Sequence, residues 1–169
     1  MPAKYPAKLD NLAKMITVVV CAVIIIPFIT IGETYFKTHS ELLLIGPALV
    51  LAGIIATFLF RPTGYDISTD AIVIHRPVGD KKLPLTYITT VAPIQIADLG
   101  FGVRTFASGG FLGYFGKFWY RKLGHVNFYA TDRSKLILIR THKDKKYLLS
   151  PDNTAQFLQD LHTRLGIKK

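Results

Sequence analysis

FASGGFLGYFGKFWYRKLG, residues Phe106–Gly124, is the stretch that sets this chain apart from a plain succession of strands and turns. Its first fifteen residues hold seven aromatic side chains and four glycines, Gly109, Gly110, Gly113 and Gly116. Glycine allows close backbone approach and positive φ. Aromatic rings together with Lys and Arg are typical of the membrane–water interface. The stretch is therefore either an interfacial anchor or a long inter-strand loop whose rings pack on the rest of its domain.

Two charge-free apolar runs precede this stretch, Met15–Ile31 with 17 residues and Leu42–Phe60 with 19. A helix rises 1.5 Å per residue, so each run reaches roughly 26–29 Å, close to the hydrocarbon thickness of about 30 Å. The alternatives are a pair of buried soluble helices or a cleaved signal peptide. A cleavage site needs small residues soon after the first run, but the chain reads GETYF from Gly32. We therefore predict a transmembrane hairpin over residues 15–60, with a short external loop at residues 32–41.

Charge predicts the orientation of this hairpin. Residues 1–14 carry three lysines and one aspartate, the loop carries two glutamates and one lysine, and Arg61 follows the second run. This bias places both termini in the cytoplasm and the protein in the cell (inner) membrane. Neither run contains an ionisable group besides the Cys21 thiol, which argues against a transporter. The second run also has a face of small residues that would let helices approach closely: Ala48, Ala52, Gly53 and Ala56.

From Arg61 onward, short segments rich in β-forming residues alternate with turns. The predicted strands are Tyr65–Ile67, Ala71–Arg76, Lys81–Ile96 (interrupted by Pro84 and Pro93), His125–Ala130, Lys135–Arg140 and Lys146–Leu149. A final helix is predicted with Ser150 as its N-cap, Pro151 at its first position and Gly166 as its stop. One apolar face of this helix is predicted to pack into the core: Phe157, Leu158, Leu161 and Leu165. The predicted class is α+β: a helical hairpin, then an antiparallel barrel or sandwich of about seven strands over residues 61–169, capped by the C-terminal helix.

The amino-acid sequences of four segments resemble those of the bacterial pleckstrin-homology (PH) domain proteins. They are YDISTDAIVIHRP at Tyr65–Pro77, SGGFLGYFGKFW at Ser108–Trp119, YATDRSKLILIRT at Tyr129–Thr141 and YLLSPDNTAQFLQDL at Tyr147–Leu161. The resemblance implies a PH-like domain at residues 61–169, and such families often carry two membrane helices before it. Eukaryotic PH domains bind phosphoinositides through a basic cluster in the first strand–strand loop. That loop here is Ser68-Thr69-Asp70, without a cation, so the phosphoinositide site is not carried over.

The chain has a formal net charge of +10, and residues 61–169 hold 17 Lys/Arg against 8 Asp/Glu. Beside an anionic leaflet each cation contributes about 1 kcal/mol of attraction. Nonspecific association with the leaflet and specific headgroup recognition both remain open. No nucleic-acid motif is present, so nucleic acid is not a predicted partner. The candidate lipid-contacting residues are the aromatics Phe115, Trp119 and Tyr120 and the cations Lys81, Lys82, Lys117, Arg121 and Lys122.

No nucleophile, acid–base pair or phosphate-loop motif stands out, and the five histidines (39, 75, 125, 142 and 162) lack metal-site spacing. We therefore predict a non-enzyme without catalytic residues, metal or cofactor. The first hypothesis is a membrane-anchored scaffolding module that recruits or assembles protein partners, including other copies of itself, at the cytoplasmic face. The alternative is direct binding of anionic lipid headgroups through basic and aromatic residues. High salt would weaken the second but not an apolar protein interface.

Overall fold

The computed structural model describes residues 3–38 and 40–166. The outer limits of the predicted domains at residues 1 and 169, and His39 in the predicted loop, lie outside the described residues. Within them the chain runs from one short strand through two apolar helices into a region of strands, and it ends in a third helix. The predicted order of apolar helices, strands and final helix is therefore confirmed.

The two apolar helices are α1, Asn11–Thr38, and α2, Ile45–Phe60, with a 3₁₀ turn at Glu41–Leu44 before α2. Two stretches, Asn11–Tyr35 and Glu41–Phe60, are long and apolar enough to cross a membrane. In each of them, no part of the most hydrophobic 18-residue window is buried. These two windows are thus not buried in the core of the strand domain. The helix α1 continues seven residues into the predicted external loop, since residues 32–38 are helical.

The strands form two sheets. The first has the order β1-β2-β3-β4, with β1 at Ala3–Pro6, β2 at Gly64–Ile67, β3 at Ala71–His75 and β4 at Lys81–Pro84. The second has the order β5-β9-β10-β8-β7-β6. Its strands are β5 Ile88–Ile94, β6 Gly102–Gly110, β7 Gly113–Tyr120, β8 Gly124–Ala130, β9 Leu136–Thr141 and β10 Lys146–Leu149. All described pairs are antiparallel except β8 with β10.

These sheets make a sandwich-like arrangement and not a closed barrel, because among the described residues each sheet ends in two strands with one partner only. Nine strands follow α2, where the sequence predicted about seven. The additional strands come mainly from the glycine and aromatic stretch. It forms most of the β6–β7 hairpin, with Phe106 opposite Lys117 and Gly110 opposite Gly113. The interpretation of this stretch as a long inter-strand loop is therefore wrong.

Glycine is required inside this hairpin at Gly116. Its φ is +113°, and a Cβ there would lie 2.7 Å from the Ala107 Cα on the facing strand. A side chain at this position would therefore both strain the backbone and collide with β6. The register of the two strands also shifts between Arg104 and Phe106, where one extra residue is accommodated.

The core lies on both faces of the second sheet. One apolar cluster fills the space between the sheets and beneath the helix α3, Thr154–Leu165, from which Phe157 and Leu161 are fully buried. A second cluster covers the opposite face and includes Ala13 from the first turns of α1. The strands β9 and β10 contribute to both clusters, which explains their continuous apolar sequences. Leu158 and Leu165 pack against the first cluster, so the predicted apolar face of α3 is confirmed.

The start of α3 differs from the prediction. Its N-cap is Asn153, whose side chain accepts a hydrogen bond from the Gln156 amide at 3.2 Å. Ser150 lies three residues earlier and is buried, and its Oγ accepts hydrogen bonds from the amides of Thr131 at 2.7 Å and Asp132 at 3.1 Å. The predicted N-cap and first helical position at Ser150 and Pro151 are therefore wrong. The end at Gly166, with φ +66°, is confirmed.

Candidate functional site

The strand β1 ties the start of the chain to the strand domain. It pairs with β2, and the Tyr5 side chain inserts into the core between the sheets, with 5% of its surface exposed. Its ring lies edge-on to Phe157 with centroids 5.0 Å apart, and its hydroxyl donates to the Asp160 Oδ2 at 2.5 Å. Burial and the neighbouring Asp160 carboxylate raise the pKa of Tyr5. The residues before α1 are thus part of the domain that follows α2.

Asp10 forms the joint between this strand and α1. Its Oδ1 accepts a hydrogen bond from the Ala13 amide at 2.6 Å, as an N-cap does. Its Oδ2 accepts one from the Arg133 amide at 3.2 Å, and its own amide donates to the Thr131 carbonyl at 3.0 Å. One carboxylate therefore binds the helix start and the β8–β9 turn together. Burial, with a smaller effect of the Asp10 charge, raises the pKa of the nearby Tyr114 to about 12.

The tip of the β6–β7 hairpin lies against the beginning of α1. The Leu112 amide donates to the Thr17 Oγ1 at 3.0 Å, and Gly110 faces the side chain of Ile16. At Gly110 φ is +130°, so no other residue would fit this contact without strain. The hairpin tip is consequently level with the first residues of the predicted first span.

A groove of about 660 Å³ separates the last turns of α2 from the same hairpin. We call it the α2–hairpin groove, and its lining residues are Ala56, Thr57, Phe60, Arg76, Arg104, Phe106, Ala107, Ser108, Gly109, Phe111, Phe115, Gly116 and Tyr129. The end of α2 is held beside it by a hydrogen bond from the Val78 amide to the Leu59 carbonyl at 3.2 Å. As far as the structure describes the chain, the lining contains two arginines and no carboxylate.

The far end of the hairpin carries a second feature, an open sheet edge. β6 is the last strand of its sheet, so one of its sides has no strand partner among the described residues. Apolar side chains are exposed beside this edge: Phe101 at 73%, Val103 at 46% and Trp119 at 37%. We call Phe101, Val103 and Trp119, with the unpaired side of β6, the β6 edge. An exposed apolar edge strand is a template for pairing with another chain.

Comparison with protein families matches residues 63–165 to the family described as Bacterial PH domain. The chain belongs to this family. The match confirms the resemblance of the four quoted segments, and PH domains are generally non-catalytic modules that bind lipids or proteins. Searches of curated proteins and of solved structures gave no match. The matched residues include α3 and all strands but β1, which joins the PH domain's first sheet from before α1.

Within the PH domain, the predicted lipid-contacting residues are not one surface. Phe115 and Tyr120 are buried, at 7% and 6% exposure, and Phe115 forms part of the wall of the α2–hairpin groove. Trp119, Arg121 and Lys122 lie at the far end of β7, about 23 Å from the hairpin tip at 3.3 Å per residue. The most exposed ring near the groove is instead that of Phe106, at 85%. Membrane contact by the predicted residues stays a prediction.

Lys81 and Lys82 lie on β4, at the edge of the PH domain's first sheet. They line a small cavity of about 180 Å³ together with Lys143 and Lys145 from the β9–β10 turn. The cavity also includes Tyr87, whose ring lies 5.3 Å from the Lys143 Nζ. The structure thus brings four lysines together at a place that none of the predicted aromatics reaches.

The predicted helix-packing residues are exposed. Ala48, Ala52, Gly53 and Ala56 have open surface, and nothing lies within 4 Å of a Cβ built on Gly53. The side of α2 that meets α1 is marked instead by Gly46, Pro47 and Val50, which share an apolar cavity of about 280 Å³ with residues of α1. The small-residue face therefore lies away from this cavity, and its contact with another helix stays a prediction.

Sequence patterns did not identify Asp10, Arg76 or Arg104, the polar residues at the joint of β1 with α1 and in the groove. A signal existed for one of them. Asp10 stands immediately before the first apolar run, where an N-cap is expected. The two arginines are brought to the groove by strand pairing, which no local pattern contains. No group of three or more His, Cys, Asp or Glu that could hold a metal ion occurs in the described part of the chain.

Proposed function

We propose that this protein is a membrane-anchored binding module whose PH domain recruits protein partners at the cytoplasmic face of the inner membrane. The proposal takes residues 15–60 as two spans with both termini in the cytoplasm, and residues 61–169, completed by β1, as the binding domain. The two long, unburied apolar helices and the family membership support it. The positive-inside distribution of Lys and Arg supports the orientation.

The single observation that carries the proposal is the β6 edge. Natural proteins usually protect an edge strand with a charge, a proline or a covering element. The edge strand β6 carries one charged residue, Arg104, but Val103 beside it is an exposed apolar residue, and the exposed Phe101 and Trp119 flank the strand. An extended segment of another protein could add to this edge through main-chain hydrogen bonds, and its apolar side chains would cover these three residues.

Charge indicates what kind of segment would bind. From Leu99 to Thr131 the sequence holds four Lys/Arg and no Asp/Glu. Two copies of β6 paired edge to edge would bring these cations together, which is unfavourable. An extended segment with carboxylates among apolar residues would match both the charge and the apolar surface. The β6 edge therefore fits an acidic partner segment better than a second copy of this chain.

The experiment is site-specific photo-crosslinking in cells with the full chain. A benzophenone amino acid replaces Val103 in one variant and Thr90, an exposed residue of the edge strand β5, in the control. We expect a protein adduct at position 103 but not at position 90, and the cross-linked partner peptide should contain Asp or Glu. The adduct should disappear when Phe101→Lys and Trp119→Lys are added.

Equal adducts at both positions would show that the β6 edge has no special affinity. Adducts formed only with lipid, or only with a second copy of the chain, would also overturn the proposal. The salt dependence is a further check. A partner held by main-chain and apolar contacts should survive high salt, although its rate of association should fall.

A further inference from the structure

We propose that the α2–hairpin groove binds the phosphate of an anionic membrane lipid, with Arg76 and Arg104 as the phosphate ligands. This inference goes beyond the recruitment of proteins and uses the opposite end of the β6–β7 hairpin. The site is shared between the last turns of an apolar helix and the sheet of the PH domain. It is therefore distinct from the Ser68–Asp70 loop, which has no cation.

The charge of the groove lining favours an anionic ligand. Arg76 and Arg104 line the groove, and no Asp or Glu among the described residues does. The Arg104 guanidinium has no hydrogen bond or ion pair with the residues that the structure describes, and it lies along the backbone at Gly109. A side chain at Gly109 would collide with it, since a Cβ there would lie 2.9 Å from the Arg104 Cδ. Guanidinium groups bind phosphate through charge-assisted, often bidentate hydrogen bonds.

Arg76 is held in place beside the groove. Its Nε donates to the Gly79 carbonyl at 2.7 Å, its Nη2 donates to the same oxygen, and its guanidinium lies 5.6 Å from the Phe60 ring centroid. A preorganised cation loses little side-chain entropy when an anion binds. Tyr129 also lines the groove, and burial raises the pKa of its hydroxyl against the opposing charge of Arg76. That hydroxyl stays protonated at neutral pH and can donate to a phosphate.

The apolar lining of the groove favours a lipid over a free anion. Most of the lining is apolar, and one wall is the end of α2, where Ala56 and Phe60 face the hairpin. The exposed ring of Phe106 lies on the other side. A lipid in the cytoplasmic leaflet next to α2 would have its phosphate at the depth of the arginines and its acyl chains along the helix. A free anion would use none of this apolar surface.

The test uses the full chain, purified in a neutral detergent and stripped of lipid, to which phosphatidylglycerol or phosphatidylcholine is returned. Native mass spectrometry then counts the bound lipids. We expect one phosphatidylglycerol to bind more tightly than phosphatidylcholine, and Arg104→Gln to weaken it by roughly tenfold or more. Arg121→Gln is the matched control, because it removes the same charge from an exposed position at the far end of the hairpin.

A second variant tests the groove without changing the charge. Ala56→Phe places a ring in the groove, so it should reduce phosphatidylglycerol binding while Arg104 stays in place. Equal losses in Arg104→Gln and Arg121→Gln would show a general charge effect and overturn the site. So would equal affinity for the two lipids, or unchanged binding in Ala56→Phe.

Discussion

The structure indicates that the strand β1 stabilises the PH domain. The substitution Tyr5→Ala tests this contribution to the free energy of unfolding. The Tyr5 ring is buried against Phe157, and its hydroxyl bonds to Asp160. Removing a buried aromatic side chain costs about 3–5 kcal/mol. The matched variant Tyr5→Phe keeps the ring and loses only the hydrogen bond. Asp160 is partly exposed and can bind water instead, so this loss is about 1 kcal/mol.

The assay is urea unfolding of the full chain in detergent, followed by the fluorescence of Trp119, the chain's one tryptophan. With a slope of about 2 kcal/mol per molar urea, Tyr5→Ala should lower the midpoint by roughly 2 M and Tyr5→Phe by about 0.5 M. Tyr87→Ala, at a half-exposed tyrosine, is the control and should shift it much less. If Tyr5→Ala and Tyr5→Phe have the same small effect, the ring is not part of the core and the docking of β1 is refuted.

Three further predictions concern the same domain. Asp10→Ala should destabilise it by about 1–2 kcal/mol in the same urea assay, Asp10→Asn less because the amide oxygen still caps α1, and the exposed Asp70→Ala hardly at all. Asn153→Ala should cost about 1 kcal/mol and speed hydrogen exchange at the Gln156 amide, whereas an unchanged exchange rate would mean that Asn153 is not the N-cap. Burial raises the pKa of Tyr65 from 10.0 to about 12, so the protonated form is favoured in the folded state. The raised pKa therefore contributes at most about 3 kcal/mol to the free energy of unfolding. This contribution is complete below pH 10.0 and is lost as the pH rises through about 12. Tyr65→Phe should flatten that alkaline loss in urea midpoints, and an unchanged slope would assign it to other groups.

Local sequence patterns were sufficient to predict the elements that depend on residues close together in the sequence. The apolar face of α3 follows from residues three and four positions apart, and Phe157 and Leu161 are indeed its buried residues. The sequences of β9 and β10 are apolar on both faces, and the structure buries both faces. The prediction for the glycine and aromatic stretch was wrong in one respect. Its glycines suggested a loop, but Gly116 serves close contact between two paired strands.

Long-range contacts account for what the sequence did not predict. The strand β1 has four residues, which is too short for a strand pattern, and its partner β2 lies beyond both apolar helices. The N-cap of α3 was placed three residues too early because Ser150 is also a good capping residue. Its hydroxyl is used instead by the amides of Thr131 and Asp132, which come from another turn of the fold. Competition of this kind between local and distant partners is invisible in a single segment.

Strand pairing also separates most of the predicted lipid-contacting residues from the α2–hairpin groove, whose described lining includes Phe115 but none of the predicted cations. Composition alone favours Lys117, Arg121 and Lys122, since they follow one another near aromatic residues. The tip of the β6–β7 hairpin, however, is bonded to α1, through the Leu112 amide and the Thr17 Oγ1, whereas Arg121 and Lys122 follow the other end of β7. Arg104 reaches the groove because Gly109 leaves room for its side chain to lie back along the strand towards that tip. Exchanging Gly109 for alanine should therefore displace Arg104 and weaken phosphatidylglycerol binding while every cation of the chain is retained, which a purely compositional explanation does not allow.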